Sequence, residues 1–291
     1  MKAPAFDYAR AESAEHALDL LARHGDGARL LAGGQSLVAA LNLRLSEPAI
    51  LVDIGRVGGG HDAVSERDDG DGARRRLRVG ALATHAAVGR AAVVARLAPM
   101  LAQAVPLIAH PAIRNRGTMG GSLALADPAT EWPACALALG AEVVVASAVR
   151  GERRVAAGDF FRGLYDTALA PDEMVLAAEF PAAAPGERQV CVEFARRHGD
   201  YALVGVAASA RVEAGRVRGL RAAFFGVAST PVLARAAMAA AEDAPVGEAA
   251  SAAAEALGRD LDPPDAPGLD GATRLRLARA LLRRAVGGLA A

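Results

Sequence analysis

Residues 110–131 read His110-Pro-Ala-Ile-Arg-Asn-Arg-Gly-Thr-Met-Gly-Gly-Ser-Leu-Ala-Leu-Ala-Asp-Pro-Ala-Thr-Glu131. Its small residues are Gly117, Gly120, Gly121 and Ser122, and its charged neighbours in sequence are Arg114, Arg116, Asp127 and Glu131. Glycine accepts positive φ and lets another molecule approach the backbone closely. Successive free N–H groups in such a loop form a concave site for anionic oxygens. The alternative for this segment alone is a surface loop with two solvated arginines, Arg114 and Arg116.

A second glycine turn, Ala32-Gly-Gly-Gln-Ser36, favours the binding interpretation. It follows the apolar pair Leu30-Leu31 and precedes a predicted helix with Leu37, Leu41 and Leu45 on one side. A helix start attracts an anion by about 0.3–1 kcal/mol at an exposed site. Two glycine turns far apart in sequence therefore predict one long ligand with several phosphates.

Composition limits the class of protein. The 291 residues suffice for two domains, or three small ones, with buried cores. Hydrophobic residues make up 53% and charged residues 23%, as in globular proteins. The 33 basic and 33 acidic residues cancel, so no global field attracts nucleic acid or anionic lipid. Any phosphate must be held locally, and Lys2 is the only lysine.

Metal and membrane functions are disfavoured. Cys135 and Cys191 are the only cysteines, and an iron–sulfur cluster usually needs four thiolates. The six histidines form no zinc-binding spacing. The first eight residues do not resemble a signal peptide, and the apolar run 133–149 is too short and interrupted for a membrane span. We expect a reduced, cytoplasmic chain without a metal site of its own.

The first half of the chain predicts mixed helices and strands. Residues up to 54 predict a β-α-β-α-β unit in which Ser13 caps the first helix. The charged, glycine-rich segment Gly58–Arg76 predicts a solvated hairpin turn. Thr84 is predicted to cap a short helix, which makes His85 a first-turn surface residue. A longer helix, Ala98–Ala109, is expected to lead into the central segment.

The second half predicts a separate domain. Pro181 to Gly186 is the best linker candidate. Beyond it, three strands are predicted over Val190–Arg197, Tyr201–Glu213 and Arg216–Val227, with Ala214-Gly215 as a hairpin turn. Two alanine-rich helices and a final amphipathic helix, Ala272–Val286, complete the chain.

Three motifs resemble one known family, the FAD-binding medium subunits of molybdenum hydroxylases, which include carbon monoxide dehydrogenase, aldehyde oxidase and xanthine dehydrogenase. Ala32-Gly-Gly-Gln-Ser36 with Leu43-Arg-Leu45 is similar to the first flavin-binding turn of that family. Ile113-Arg-Asn-Arg-Gly-Thr-Met-Gly-Gly-Ser122 with Asp127-Pro128 is similar to the second. Phe194-Ala-Arg-Arg-His-Gly-Asp-Tyr-Ala202 resembles the segment that opens the C-terminal domain. The match runs in order from residue 1 to about 286.

The resemblance implies an α+β fold. A two-subdomain FAD-binding domain of the PCMH/VAO-like type would occupy residues 1–57 and 58–178. An α+β C-terminal domain with a three-stranded antiparallel sheet would occupy residues 187–291. FAD would lie between the two subdomains, with its pyrophosphate against residues 32–36 and 118–122.

The same resemblance implies a set of FAD-binding residues and no catalytic residue on this chain. Glu131 would lie near the cofactor, Leu176 would pack against the flavin and Tyr201 would lie over the isoalloxazine ring. The full set is Ala32, Gly33, Gly34, Gln35, Ser36, Thr118, Met119, Gly120, Gly121, Ser122, Asp127, Glu131, Leu176 and Tyr201.

One position departs from the family pattern. The family commonly has lysine next to the phenylalanine that is Phe194 here, and this chain has Glu193. A cation near the pyrimidine edge of the flavin would stabilise the anionic reduced cofactor, and an acid would not. The departure therefore bears on flavin potential and electron acceptor rather than on FAD binding.

Three functions compete. The first is an electron-transfer subunit that carries FAD between an iron–sulfur small subunit with 2Fe-2S clusters and an external acceptor. A large subunit would hold the molybdenum cofactor, and the heterotrimer would double to a heterohexamer. The second is a self-contained FAD-dependent oxidase or reductase, for which His198 and Asp200 are the candidate acid and base. The third is a nucleotide-binding module or Rossmann dehydrogenase, which the spacing at 33–36 does not support.

Overall fold

The computed structural model describes residues 2–68 and 75–289, and its first unit is a small parallel α/β layer. Its strands pair in parallel in the order β1-β3-β2, as the predicted β-α-β-α-β unit requires. The elements are β1 (Asp7–Arg10), α1 (Ala14–His24), β2 (Ala28–Leu31), α2 (Leu37–Asn42) and β3 (Ile50–Asp53).

Local sequence signals set the limits of α1 but not of α2. The Ser13 hydroxyl accepts from the backbone N–H of His16 at 3.2 Å, which caps α1. Gly25, at φ +50°, ends that helix in a backbone conformation that favours glycine. The prediction that α2 extends to Leu45 is wrong. The helix stops at Asn42 because Arg44 turns to φ +56°, and Leu45 is left 78% exposed.

In its described residues, the second unit contains a five-stranded antiparallel sheet and seven helices. Its strands run in the order β4-β5-β10-β6-β7, with the small pair β8-β9 at one side. The strands are β4 (Val64–Asp68), β5 (Arg75–Gly80), β6 (Glu142–Ser147), β7 (Gly151–Ala156), β8 (Phe161–Gly163), β9 (Asp166–Thr167) and β10 (Glu173–Pro181). The helices are α3 (His85–Arg90), α4 (Ala92–Leu97), α5 (Pro99–Ala104), α6 (Pro111–Arg114), α7 (Met119–Leu125), α8 (Glu131–Leu139) and α9 (Ala157–Phe160).

Strand β10 is the centre of this sheet, and both its faces are covered. Val175 and Phe180 belong to the core shared with the helices. Met174 and Leu176 join the core of the first unit instead. The parallel layer and the helices therefore pack on opposite faces of one sheet, as alternation along a strand requires.

Two sequence predictions for this unit need correction. Gly58–Arg76 is not one hairpin turn, because residues 64–68 form β4 and pair antiparallel with β5; residues 69–74 lie outside the described part. The strand was missed because it is a charged sheet edge with little apolar alternation. The helix predicted over 98–109 ends at Ala104, and Ala109 takes φ +41° directly before the central segment.

The C-terminal unit packs helices against one face of an antiparallel sheet in the order β11-β12-β13-β14. The three predicted strands are confirmed, and a two-residue fourth strand adds to them. Ala214 and Gly215 both take positive φ, which suits a two-residue hairpin turn. The elements are β11 (Glu187–Ala195), β12 (Ala202–Glu213), β13 (Arg216–Phe225), β14 (Val232–Leu233), α10 (Arg235–Ala241), α11 (Val246–Ala256) and α12 (Gly271–Gly288).

Helix α8 joins the second and third units. Eight of its nine residues are buried, and it packs against β12 and β13 as well as β10. Arg221 on β13 donates to the carbonyl oxygens of Ala138 and Leu137 at 2.6 and 2.9 Å, so the C-terminal unit caps this helix. In residues 2–68 and 75–289, no helix has the length and apolar character needed to cross a membrane.

Candidate functional site

The first glycine turn presents a row of unpaired backbone amides. Within the described residues, the N–H groups of Gly33, Gly34, Gln35 and Ser36 have no acceptor. Gly34 takes φ +73°, and the Gln35 side-chain amide donates to the Gly33 carbonyl at 2.8 Å, which holds the turn. Four successive free donors beside a helix start form a concave anion site.

The second glycine turn differs from the sequence expectation. Met119 and Gly120 donate to the carbonyl oxygens of Ala83 and Ala81 at 2.9 and 2.8 Å, and Ser122 donates to Thr118. The Thr118 hydroxyl accepts from Gly121 at 3.1 Å and caps α7. The expectation of successive free amides is therefore wrong here: across residues 115–122, which the structure describes in full, only the Thr118 N–H lacks an acceptor.

The glycines of the second turn provide close approach instead. A Cβ added to Gly120 would lie 2.5 Å from the Cβ of Ala81. A Cβ added to Gly33 would lie 2.0 Å from the Arg116 carbonyl oxygen and 2.9 Å from the Gly117 Cα. Real Cβ atoms do not pack so closely, so the two turns touch backbone to backbone. Residues 32–36 and 116–122 thus border one region of the molecule.

A group of acids lies at the far end of α7. The Asp127 carboxylate accepts from the Ala129 N–H at 2.9 Å, and Glu131 begins α8 at 6% exposure. Burial raises the pKa of Glu131 to about 8, with help from the facing charges of Glu193 and Asp127. Burial also raises the pKa of Glu193 to about 7, and its buried Oε2 has no partner in the described structure. Burial thus favours the neutral form of both carboxyl groups.

Two exposed tyrosines flank these acids. Tyr201 is 64% exposed and Tyr165 is 58% exposed. Burial of part of each ring, together with the charge of Asp127, raises the pKa of both phenols. The segment before Tyr201 is fixed by Gly199, where a Cβ would lie 2.7 Å from the Ala109 carbonyl oxygen. The C-terminal unit therefore brings Tyr201 to the central segment.

The remaining predicted residues lie around these groups. Leu176 is 9% exposed at a bulge of β10, and its carbonyl oxygen accepts from Ala81. Ala32 packs against the same apolar cluster as Leu176. Met119 is core, whereas Gly121 and Ser122 keep accessible surface. Of these residues, Met119 and Leu176 thus lie in apolar cores.

Sequence reasoning missed His85 and Tyr165. His85 was expected on the surface, but it is 6% exposed and its Nδ1 accepts from the Trp132 indole at 2.9 Å. The partner is 47 residues away, so no local pattern indicated it. Tyr165 sits at the tip of the β8-β9 pair with φ +55°, a strained conformation for an aromatic residue. Its phenol lies beside Asp127, which is distant in sequence, so periodicity does not indicate this contact.

The two cysteines, distant in sequence, are neighbours in the fold. A contact with the Cys135 thiol, together with burial, raises the pKa of the Cys191 thiol well above its ordinary value. Both thiols are buried and uncrosslinked. In the described part of the chain, no cluster of three or more histidine, cysteine or acidic side chains could hold a metal ion.

A cavity of about 240 Å³ lies elsewhere, between the C-terminal end of α8 and the C-terminal sheet. Its arginines are already engaged: Arg221 caps α8, and Arg218 pairs with Asp243 at 2.7 Å. Helix C-termini also repel anions. The free amides of the first turn therefore remain the better anion site.

Comparison with known proteins agrees with this architecture. The family model for the FAD binding domain in molybdopterin dehydrogenase matches residues 4–183. The model for the CO dehydrogenase flavoprotein C-terminal domain matches residues 191–289. The fold and the glycine-turn site thus define an FAD-binding flavoprotein with a dedicated C-terminal domain.

Individual relatives extend the match over the whole chain. The carbon monoxide dehydrogenase medium chain of Afipia carboxidovorans is 35% identical over 97% of this chain and 95% of its own. The 6-hydroxypseudooxynicotine dehydrogenase complex subunit alpha of Paenarthrobacter nicotinovorans is 42% identical over 80% of this chain and 76% of its own. The quinoline 2-oxidoreductase structure from Pseudomonas putida 86 superposes with a TM-score of 0.92 at 36% identity, covering 100% of this chain and 98% of that chain.

The chain belongs to the FAD-binding medium subunits of the molybdopterin hydroxylases, the carbon monoxide dehydrogenase and xanthine dehydrogenase family. It is an oxidoreductase subunit of that type of multi-subunit complex. The predicted α+β fold and family are confirmed.

Proposed function

We propose that the chain binds one FAD and carries electrons from the iron–sulfur clusters of a partner chain to an external acceptor. The observation that carries this proposal is the run of four free amides at 33–36, set directly against the Arg116–Gly117 backbone. Bound FAD supplies a redox centre that can accept electrons singly and deliver them in pairs.

The chain's own residues have distinct roles in this proposal. The amides of Gly33 to Ser36 hold phosphate oxygens without any lysine. Thr118 adds one further amide, and Gly120 lets α7 pack close to the end of β5. Tyr201, Asp127 and Glu131 border the region where the flavin ring is proposed to lie, and Leu176 backs it.

The division into residues 1–57, 58–178 and 187–291 stays part of this proposal, supported by a separate main sheet in each part. The proposed partners are an iron–sulfur small subunit with 2Fe-2S clusters and a molybdenum-binding large subunit, doubled to a heterohexamer. The self-contained oxidase is less favoured, because His198 and Asp200 are both exposed and form no paired acid and base.

Flavin retention tests the binding site. Gly34→Asp should abolish FAD binding, because it places a negative charge among the amides that face the phosphates. Gly34→Asn is the matched variant: it has the same size and also tolerates positive φ, but it adds no charge. It should retain most FAD.

Gly58→Asp is the surface control, since nothing lies within 4 Å of that position. FAD content is measured from the visible spectrum of each purified chain. Equal FAD content in the Gly34→Asp variant and the parent would contradict the proposed phosphate site.

A further inference from the structure

His85 has one imidazole nitrogen engaged and one without a partner. It begins α3 directly after the Thr84 cap, and its side chain is 6% exposed. The Trp132 indole N–H, a donor only, donates to Nδ1 at 2.9 Å. Nδ1 must therefore be the unprotonated nitrogen, and the proton of the neutral ring lies on Nε2.

The ring stays neutral over the ordinary pH range. Burial, together with the charge of Arg114, lowers the pKa of His85 to about 4. Trp132, packed against the ring with centroids 5.9 Å apart, offers no acceptor. The imidazole is thus a fixed N–H donor rather than a cation.

The free nitrogen faces the second glycine turn. A Cβ added to Gly117 would lie only 2.6 Å from Nε2, so this atom lies against the Gly117 backbone. The His85 N–H donates to the Gly117 carbonyl oxygen at 2.9 Å, which fixes the ring's position relative to the turn. Within residues 2–68 and 75–289, Nε2 has no hydrogen-bond acceptor.

The position of Gly117 connects this donor to the proposed cofactor site. Gly117 precedes Thr118, whose amide is also free, and its Cα lies against Gly33 at the start of the row of free amides. Nε2 is not among the buried side-chain atoms that lack a partner, so this donor keeps some accessible surface. A ligand oxygen in this region can therefore accept a hydrogen bond from it.

We propose that the Nε2–H of His85 donates a hydrogen bond to an oxygen of the phosphate–ribityl chain of bound FAD, and that Trp132 positions the ring for it. This inference rests on the proposed FAD site. His85 becomes a cofactor-binding residue, and Trp132 becomes a positioning residue that holds the required tautomer.

Two ring-for-ring substitutions separate binding from packing. His85→Phe keeps an aromatic ring and removes the donor, so the Kd for FAD should rise ten- to hundred-fold in the full-length chain. Trp132→Phe keeps an aromatic ring in the core but removes the N–H that fixes the tautomer of His85. The Kd for FAD should therefore rise less than in His85→Phe. If His85 is only a core residue, both variants lower the melting temperature of the FAD-free chain and leave the Kd unchanged, which would overturn the inference.

A spectroscopic test uses the parent chain and does not depend on the variants folding. The chain is labelled with ¹⁵N-histidine, and the His85 signals are followed while FAD, ADP or riboflavin is added. The FAD-free chain should show the Nε2–H tautomer, and FAD should shift that N–H signal. A shift with ADP assigns the acceptor to the phosphates, and a shift with riboflavin assigns it to the ribityl chain.

The failures of the two proposals are distinguishable. If FAD binds and the His85 signals stay in place, the inference is wrong and the FAD site stands. If FAD does not bind the parent chain, the proposed function itself fails.

Discussion

At the scale of single residues, Glu131 lowers the stability of the folded chain by an amount that depends on pH. Its pKa is raised to about 8 mainly by burial, so its charged form is disfavoured in the folded chain. Stability from this group is fully present below the unfolded pKa near 4.5 and is lost as pH rises toward 8. The neutral form of Glu131 is thus the form that favours the folded state.

Glu131→Gln should remove this destabilisation at high pH, because the amide does not ionise. Since one unit of pKa corresponds to about 1.4 kcal/mol, the gain in unfolding free energy should be on the order of 2–4 kcal/mol larger at pH 8 than at pH 5. Denaturant unfolding of the FAD-free chain at both pH values measures it. The exposed Glu47→Gln is the control. A gain that is the same at both pH values would show that Glu131 is not held neutral.

Glu193 offers a second prediction at this scale. Its buried Oε2 has no partner in the described structure, and its carboxyl group faces Glu131. Glu193→Lys replaces an acid by a cation beside the proposed flavin, which should stabilise the charge gained on reduction and raise the midpoint potential. Spectroelectrochemical titration measures the potential.

Glu213→Lys is the matched control for that experiment, because it makes the same change of net charge on an exposed hairpin. Equal potentials in both variants and the parent would show that residue 193 does not act on the flavin. Glu193→Gln should give an intermediate value.

At the scale of elements, Arg221 links a strand of one unit to the end of a helix in another. Its guanidinium group satisfies two carbonyl oxygens at the C-terminus of α8. Arg221→Met should lower the free energy of unfolding by about 1–3 kcal/mol, because both carbonyl groups lose their partner in a half-buried place. Arg188→Met, on the exposed side of β11, should change it little. Matching melting curves for the two variants would refute the capping role.

Local signals predicted some elements and failed on others for physical reasons. The caps Ser13 and Thr84 were predictable because each hydroxyl bonds an amide three residues later. β4 was not, because a charged edge strand is specified by its pairing with β5 rather than by its own pattern. His85 was misjudged because its partner Trp132 is brought close only by tertiary packing.

The glycine motifs show the same limit within the site. The two turns were identified from sequence, and the fold places them in contact. Which turn offers free amides was not predictable, since the acceptors for Met119 and Gly120 lie at the end of β5 and in the loop beyond it. The sequence indicated a phosphate site but assigned the donors to both turns, whereas the first turn supplies four of the five.

At the scale of the whole molecule, we expect this chain alone to oxidise no organic substrate. In the proposed assembly the molybdenum centre and the iron–sulfur clusters lie on partner chains, and two cysteines in the sequence are too few for a cluster. The pure FAD-loaded chain should show no turnover with aldehydes, purines or aromatic heterocycles, under air or with artificial acceptors. Robust turnover of any of them by the single chain would favour a self-contained flavoenzyme.

Helix α8 sets a condition on how such proteins can be recombined. The two family models meet between residues 183 and 191, which suggests two exchangeable modules. Yet the buried face of α8 belongs to the first module and is covered by β12 and β13 of the second. A fragment ending at residue 183 would expose that apolar face to water and leave the last carbonyl groups of the helix without Arg221, so it should self-associate. A chimaera that exchanges the C-terminal module must therefore supply both a matching apolar surface and a cation at the position of Arg221.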